Sequence, residues 1–309
     1  MSPKSPPVPP LLAIAFGLLA VSTASIFIRY AQVEAPSLVI AAMRLSIATL
    51  VLLPLALRFR RQELASLRRG ELPLALLSGF FLAMHFATWI TSLEYTTVAS
   101  SVVLVSTTPL WVALLAPLTI KEPLSRLVII GMLLALLGGA IVGISDACSW
   151  ENGGLICPAL SEFVRGEAFL GDLLALAGAL TAAGYLLIGR RLRARLSLLS
   201  YITLVYGMAA VVLVIIMFAA GYRPLGYQPL TYLWLILLAL VPQLIGHTTF
   251  NWALGYLSAA YVSITLLAEP IGSTILAYLL LDETPTLVKG FGAILILTGI
   301  VIASKSELK

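Results

Sequence analysis

Charged residues are scarce in this sequence. Asp, Glu, Lys and Arg make up 11% of the 309 residues, hydrophobic residues make up 60%, and the mean hydropathy is +1.04. A soluble domain of this composition would lack the polar residues needed to cover its surface. We therefore predict an integral membrane protein. Basic loops on one side of a bilayer explain the net charge of +5, so no nucleic-acid partner is expected.

Cysteine and histidine are also scarce, with two residues of each type. No group of them has the spacing of a zinc or iron–sulfur site, so we expect neither a metal nor another cofactor. Cys148 and Cys157 lie in one polar stretch between apolar runs, and we predict that they face the outside. There they would either form a disulfide around the turn-forming residues 152–154 or remain two free thiols.

The sequence lacks the motifs of ATP-driven pumps and of common hydrolases. Without a P-loop, the energy for any transport would come from an ion gradient or from the gradient of the substrate itself. The sequence has neither GxSxG nor HExxH, so we do not expect an enzyme, and an intramembrane enzyme is the less favoured alternative. A channel or a scaffold protein remains an alternative of a different class.

Long apolar runs are abundant. A helix that crosses a bilayer needs about 20 mostly apolar residues, and ten stretches meet this need: 11–30, 36–57, 73–93, 97–118, 124–145, 169–189, 199–220, 230–254, 257–281 and 286–304. The sequence thus predicts an all-α fold with ten transmembrane helices. We expect residues 1–10 and 305–309 to be cytoplasmic tails, the first of them disordered, and residues 146–168 to be an extracytoplasmic loop.

The distribution of basic residues predicts the orientation. If both termini are cytoplasmic, four basic residues lie outside, Arg44 lies within the membrane, and 14 of the 19 lie inside: Lys4, Arg58, Arg60, Arg61, Arg68, Arg69, Lys121, Arg126, Arg190, Arg191, Arg193, Arg195, Lys305 and Lys309. This bias follows the positive-inside rule. We therefore expect a multi-pass protein of the plasma membrane with both termini in the cytoplasm.

The sequence contains an internal repeat with an offset of 161 residues. Pro109, Glu122, Gly131 and Gly138 recur without a gap as Pro270, Glu283, Gly292 and Gly299. Each half, 11–145 and 169–304, would contain five spans. Because five is odd, the second half must be inverted relative to the first, as in many secondary transporters.

Two equivalent segments carry a family resemblance. They are YTTVASSVVLVSTTPLWVALLAPLTIKEPL (95–124) and YLSAAYVSITLLAEPIGSTILAYLLLDETP (256–285). They resemble the fourth and ninth helices of EamA-type proteins of the drug/metabolite transporter superfamily, whose members are similar to exporters of amino acids, nucleobases and other metabolites. The resemblance implies a secondary transporter that works by alternating access. We expect an exporter of amino acids or similar small metabolites, with proton coupling as one option and with its oligomeric state open.

The ninth stretch carries the main candidate for proton coupling. Tyr261, Thr265 and Glu269 recur every four residues, which places them on one helical face, and Pro270 follows. Burial of Glu269 near mid-membrane favours a neutral carboxyl group unless a cation lies near, which suits a group that exchanges protons. The alternative is a structural glutamate that hydrogen-bonds a kinked neighbouring helix.

A second polar stripe lies in the eighth stretch, where Gln243, His247 and Asn251 share a face. These side chains would either line a cavity, with His247 exchanging protons near neutral pH, or hold helices together. His85 lies one residue from the repeat equivalent of His247 (85 plus 161 is 246), so each half would present an imidazole to a shared cavity. Trp89 would either stack on a substrate or belong to the interfacial aromatic belt.

Two equivalent prolines, Pro109 and Pro270, interrupt the fourth and ninth stretches. Interrupted helices at matching positions of two repeats indicate a transporter's binding site, because the break frees backbone groups to line a polar cavity. Ser100 and Thr108 in the fourth stretch are therefore candidates for the lining. The weaker candidates are Ser22, Ser25 and Tyr185.

Arg44 is a charged residue inside the second stretch. It lies eight residues past Pro36, hence about 12 Å deep at 1.5 Å per residue. A charge at that depth must pair, reach the interface or face water. Arg44 would either bind a carboxylate of the substrate or play a structural role by donating to backbone carbonyls.

Overall fold

The computed structural model describes residues 6–96, 98–147, 149–151, 154–156, 167–281 and 287–307. The described chain is helical apart from one short antiparallel hairpin, β1 (Ser149–Glu151) and β2 (Gly154–Ile156). Cys148 and Cys157 lie outside the described residues. Their location and redox state therefore remain predictions.

The helices follow the predicted apolar stretches in order. They are α1 (Pro10–Ser22), α2 (Ala24–Gln32), α3 (Ser37–Phe59), α4 (Arg61–Ala65), α5 (Glu71–Tyr95), α6 (Val98–Val105), α7 (Thr108–Thr119), α8 (Arg126–Ala147), α9 (Glu167–Arg193), α10 (Leu198–Ala219), α11 (Pro229–Leu238), α12 (Thr248–Ala253), α13 (Ala259–Thr265), α14 (Glu269–Leu281) and α15 (Leu287–Glu307). A π-helical segment (Ala239–His247) joins α11 to α12, and a 3-10 turn (Leu266–Ala268) joins α13 to α14.

Seven helical stretches are long and apolar enough to cross a bilayer: Pro10–Gln32, Ser37–Phe59, Glu71–Tyr95, Phe169–Arg193, Leu198–Ala219, Pro229–Ala253 and Ala259–Leu280. Three shorter apolar helices accompany them: Thr108–Thr119, Arg126–Gly138 and Gly290–Ala303. The expectation of a helical multi-pass membrane protein is confirmed. The number of ten spans remains a prediction.

Four of the predicted spans are interrupted near their middle. Proline explains three of these breaks, because its ring lacks an N–H donor and collides with the preceding turn. Pro109 and Pro270 are the second residues of α7 and α14, and Pro242 lies in the π-helical segment. The fourth break, between α1 and α2, lies at Thr23, whose hydroxyl donates to the carbonyl of Ala20 (2.7 Å). Such bonds of a side chain to its own helix bend helices.

The two halves pack through reciprocal contacts. A methyl group on Gly131 of α8 would collide with the carbonyl oxygen of Gly299 in α15, and one on Gly138 would collide with that of Gly292. Gly131 and Gly138 are the repeat equivalents of Gly292 and Gly299, so exchanging the halves exchanges the two contacts. The earlier glycine of α8 meets the later glycine of α15, which means that these equivalent helices run antiparallel. An inverted repeat requires this arrangement.

The same reciprocity holds on the other side of the bundle. Added methyl groups on Gly17 and on its equivalent Gly178 would meet, respectively, Thr249 and its equivalent Thr88. Small residues at these crossings allow the backbones of α1 and α9 to approach their neighbours closely. α1 therefore packs closely on α12, and α9 packs closely on α5.

Candidate functional site

A cavity of about 60 Å³ lies where the interrupted helices meet. Both halves contribute to its wall. The lining residues are Val21, Ala24, His85, Trp89, Val105, Ser106, Thr108, Pro109, Ala182, Tyr185, Leu186, His247, Phe250, Ser263, Leu266, Leu267 and Glu269. Most of the lining is apolar, with a few polar groups that converge on one space, which is the usual character of a site for small molecules.

The two proline breaks place one polar residue each in the wall. Thr108 and Glu269 are repeat equivalents, since 108 plus 161 is 269, and each directly precedes its proline. The Thr108 hydroxyl donates to the carbonyl of Val105 (2.8 Å). Glu269 is the first residue of α14, where the aligned N–H dipoles favour a negative charge. Among the described lining residues, Glu269 is the only acidic one.

Both histidines reach the cavity, from different positions of the repeat. The Nδ1 atom of His85 lies 3.0 Å from the carbonyl oxygen of Gly178, and its ring stacks on Trp89 with centroids 5.8 Å apart. His247 meets the ring of Phe86 edge-on, with centroids 5.2 Å apart. Phe86 is the repeat equivalent of His247, so these two rings form a contact between equivalent positions. His85 instead corresponds to Gly246.

Arg44 lies next to the cavity without lining it. Its side chain is fully buried, its Nε atom donates to Oε1 of Gln243 (2.8 Å), and its guanidinium carbon lies 4.2 Å from the ring centroid of Phe86. In the described part of the chain, its two terminal nitrogens have no hydrogen-bond partner. Its charge is close enough to interact electrostatically with the Glu269 carboxyl group. Arg44 therefore supplies a positive potential to the wall.

A chain of polar groups fixes the phenol of Tyr185 at the cavity. Its hydroxyl donates to Oδ1 of Asn251 (2.6 Å), whose Nδ2 atom donates to the hydroxyl of Tyr206 (3.1 Å). Nδ2 of Asn251 also lies within hydrogen-bond distance of the carbonyl of His247 (2.9 Å). These bonds connect α9, α10 and α12. They hold both Tyr185 and His247 in place.

The structure brings six of the sequence candidates into the cavity wall: His85, Trp89, Thr108, Tyr185, His247 and Glu269. Seven others are buried beside it or support it: Ser22, Ser25, Arg44, Gln243, Asn251, Tyr261 and Thr265. The Ser22 hydroxyl, for example, lies 3.5 Å from the backbone carbonyl of Glu269. The side chain of Ser100 lies outside the described part of the structure.

Sequence reasoning missed several lining residues. Ser106 and Ser263 are polar, and Ser106 lies in the turn between α6 and α7, so its closeness to Pro109 was a usable signal. Val21, Leu186 and Phe250 could not be recognised as lining residues from the sequence, because apolar residues occur throughout every span. The apolar part of a cavity wall can therefore be recognised only from the packed structure.

The lining offers groups that hydrogen-bond and groups that titrate. It offers one carboxyl group, two imidazoles and the indole Nε1 of Trp89, which is buried and has no hydrogen-bond partner in the described residues. The aromatic rings provide flat apolar surfaces. Among the described residues, no group of three or more His, Cys, Asp or Glu side chains could hold a metal ion.

Comparison with known proteins identifies both halves with one family. The model of the EamA-like transporter family matches residues 9–144 and 169–305. No curated protein matches the chain by sequence. A solved crystal structure, titled only as that of a protein, superposes with a TM-score of 0.74 at 18% identity, covering 97% of this chain and 97% of that one. At this identity the likeness shows the fold alone.

Proposed function

The chain belongs to the EamA-like transporter family, and from that premise we propose that it is a secondary active transporter that exports amino acids or similar small metabolites. Transport would proceed by alternating access and would be coupled to protons through Glu269. The protein would reside in the plasma membrane with both termini in the cytoplasm. The central cavity, lined by both halves at their helix breaks, carries this proposal.

The reciprocal packing of the halves supports alternating access. Two inverted repeats can exchange conformations, which moves the opening of a central site from one face to the other. In the present conformation, a group of bonds at one end joins α9 and α13 to the segments that directly follow α7 and α12. The Arg190 Nε atom lies 2.6 Å from the Glu122 carboxylate, Nη1 of Arg190 donates to the carbonyl of Leu254 (2.9 Å), and the N–H of Ala259 donates to Glu122 (3.4 Å).

The chemistry of the wall fits a small amine or zwitterion. The Glu269 carboxylate would accept hydrogen bonds from an ammonium group, and the indole N–H of Trp89 would donate to an oxygen of the substrate. Apolar side chains of the substrate would pack against the aromatic part of the wall. The positive potential from Arg44 would attract a carboxylate of the substrate without requiring direct contact.

Protonation of Glu269 would couple the proton gradient to transport. A charged carboxylate in an apolar cavity requires a nearby cation, either Arg44 or an ammonium group of the substrate. The substrate and the proton would therefore compete for the same carboxylate. A proton that binds after the substrate leaves would allow the empty carrier to change conformation.

The test is transport by the purified protein in proteoliposomes. Uptake of a panel of radiolabelled amino acids and small metabolites would be measured with and without an imposed pH gradient. Glu269→Gln keeps the shape but removes the titration and the charge, so we expect weaker binding of the substrate and residual transport that no longer depends on pH. Asp172→Asn is the matched control, because Asp172 is a buried acid that bonds Thr96 (3.0 Å) away from the cavity. An unchanged pH profile in Glu269→Gln would refute the coupling role.

A further inference from the structure

A groove on the outer surface of the bundle lies between α5, α7 and α9. It has a volume of about 390 Å³, and its walls include Leu77, Phe81, Leu115 and Ile188. Gly184 forms part of its floor, where an added methyl group would meet the ring of Phe81 at 3.0 Å. The groove does not communicate with the central cavity through any shared lining residue. Its apolar walls suit a hydrocarbon chain.

One end of this groove continues into a basic pocket of about 450 Å³. The two spaces share Thr119, Ile120 and Arg191, and the pocket adds Lys121, Glu122 and Arg190. Glu122 is engaged with Arg190 at 2.6 Å. Among the described residues, Lys121 and Arg191 form no ion pair. In the described part of the chain, the pocket therefore presents two exposed cations that no ion pair engages, since its one carboxylate is paired with Arg190.

The backbone conformation of Lys121 is a second indication that its side chain has a role. Lys121 directly follows the C-cap of α7 and has φ = 57°, a left-handed conformation that proteins usually assign to glycine at this place. A lysine here costs conformational free energy relative to glycine. Its charge offers a reason for its presence.

The repeat provides an internal comparison. The equivalents of Ile188 and Arg191 in the first half are Phe27 and Tyr30, obtained by subtracting 161. Both rings stack on Trp234, with centroids 5.7 and 4.7 Å apart, and the Tyr30 hydroxyl donates to the carbonyl of Leu280 (3.4 Å). Aromatic rings thus occupy the region that corresponds to the groove, and no cation replaces Arg191. The groove and its basic pocket are therefore not a necessary result of the fold.

We propose that the groove and the basic pocket together bind an anionic phospholipid. One acyl chain would lie along the apolar groove, and the phosphate of the head group would lie between Lys121 and Arg191. Basic pockets between transmembrane helices bind anionic head groups in this way. A soluble anion would use the pocket alone, whereas a phospholipid uses the cations and the apolar walls at once. This proposal does not depend on the substrate of the transporter.

The experiment measures lipid binding by the full chain in detergent. Native mass spectrometry would quantify the affinity for phosphatidylglycerol and for phosphatidylcholine with the same acyl chains. We expect preference for phosphatidylglycerol, and a loss of about thirtyfold in its affinity when both cations are removed in Lys121→Gln/Arg191→Gln, from the usual contribution of each basic residue. Arg68→Gln/Arg69→Gln is the charge-matched control, because these arginines do not line the pocket, and it should keep the preference.

Two further variants separate binding from folding. Lys121→Gly removes the charge and relieves the left-handed backbone, so it should weaken phosphatidylglycerol binding while the melting temperature stays level or rises. Ile188→Phe should fill the groove, as Phe27 does in the other half, and weaken both lipids. Leu118→Phe is its control, since Leu118 is 79% exposed and does not line the groove. Equal affinity of the wild type and Lys121→Gln/Arg191→Gln for phosphatidylglycerol would overturn the proposal, as would glycerol phosphate displacing the lipid completely.

Discussion

The bond between Arg190 and Glu122 predicts how the conformational equilibrium responds to mutation. The two side chains are 27% and 26% exposed and lie 2.6 Å apart. A pair at this depth contributes about 1–2 kcal/mol, between the values for exposed and for fully buried pairs. If the pair forms only in the conformation seen here, Glu122→Gln should raise the population of the alternative conformation about five- to thirtyfold.

The readout is the accessibility of the central cavity. A single cysteine at the lining residue Ser106, in a chain with Cys148→Ser and Cys157→Ser, would be labelled with a membrane-impermeant maleimide added from the Arg190 side. We expect the labelling rate of Glu122→Gln to rise in proportion to the alternative conformation. Labelling from the opposite side should fall or stay level.

A double-mutant cycle makes this test specific for the pair. Arg190→Gln should raise the labelling rate as well, and the double variant should raise it by less than the product of the two single effects. Arg195→Gln is the control, because the contact of Arg195 with Glu71 is longer (3.4 Å) and the arginine side chain is 56% exposed. Unchanged rates in both single variants would refute the role of the pair in conformational change.

Three further predictions concern the packing and the wall of the cavity. Arg44→Ala should lower the melting temperature strongly, with a loss of about 3 kcal/mol or more. Arg44→Lys should not restore it fully, because a lysine ammonium cannot both donate to Gln243 and place a planar cation over the ring of Phe86. Gly131→Leu should disrupt folding by separating α8 from α15, measured as monodisperse yield in detergent, whereas Leu133→Ala at an exposed position should not. Tyr185→Phe should cost about 1 kcal/mol of stability through the lost bond to Asn251 and should change the KM for substrate more than it changes the yield.

The helix breaks show how far the sequence predicts this structure. Pro109, Pro242 and Pro270 mark three breaks, since proline acts through local geometry that a sequence displays directly. The break at Thr23 has no such mark, because threonine is common in regular helices and bends them only when its hydroxyl bonds the backbone.

The types of residue in the candidate site could be predicted from the sequence better than the helical faces on which they lie. The stripe of Gln243, His247 and Asn251 assumed an α-helical period, but the π-helical segment has more residues per turn and rotates the following residues. His247 faces the cavity, while Gln243 bonds Arg44 and Asn251 bonds Tyr185, so the three residues of the stripe contact three different neighbours.

A 3-10 turn has the opposite effect on the second stripe. It has fewer residues per turn than an α-helix, so the residues before Leu266–Ala268 are rotated relative to Glu269. Ser263 therefore lines the cavity together with Glu269, while Tyr261 and Thr265 are buried beside it. Such departures from the α-helical period depend on tertiary packing and leave no periodic pattern in the sequence.

The difference between Thr108 and Glu269 has an energetic consequence for the whole molecule. A carrier with two identical halves would have its two access states at equal free energy in a symmetric environment, since exchanging the halves converts one state into the other. In the proposed mechanism, the carboxyl group at one of these equivalent positions would remove that degeneracy. The free-energy difference between the states then depends on whether this group is charged. One residue difference between the duplicated halves would thus make the equilibrium between the two access states depend on the chemical potential of the proton.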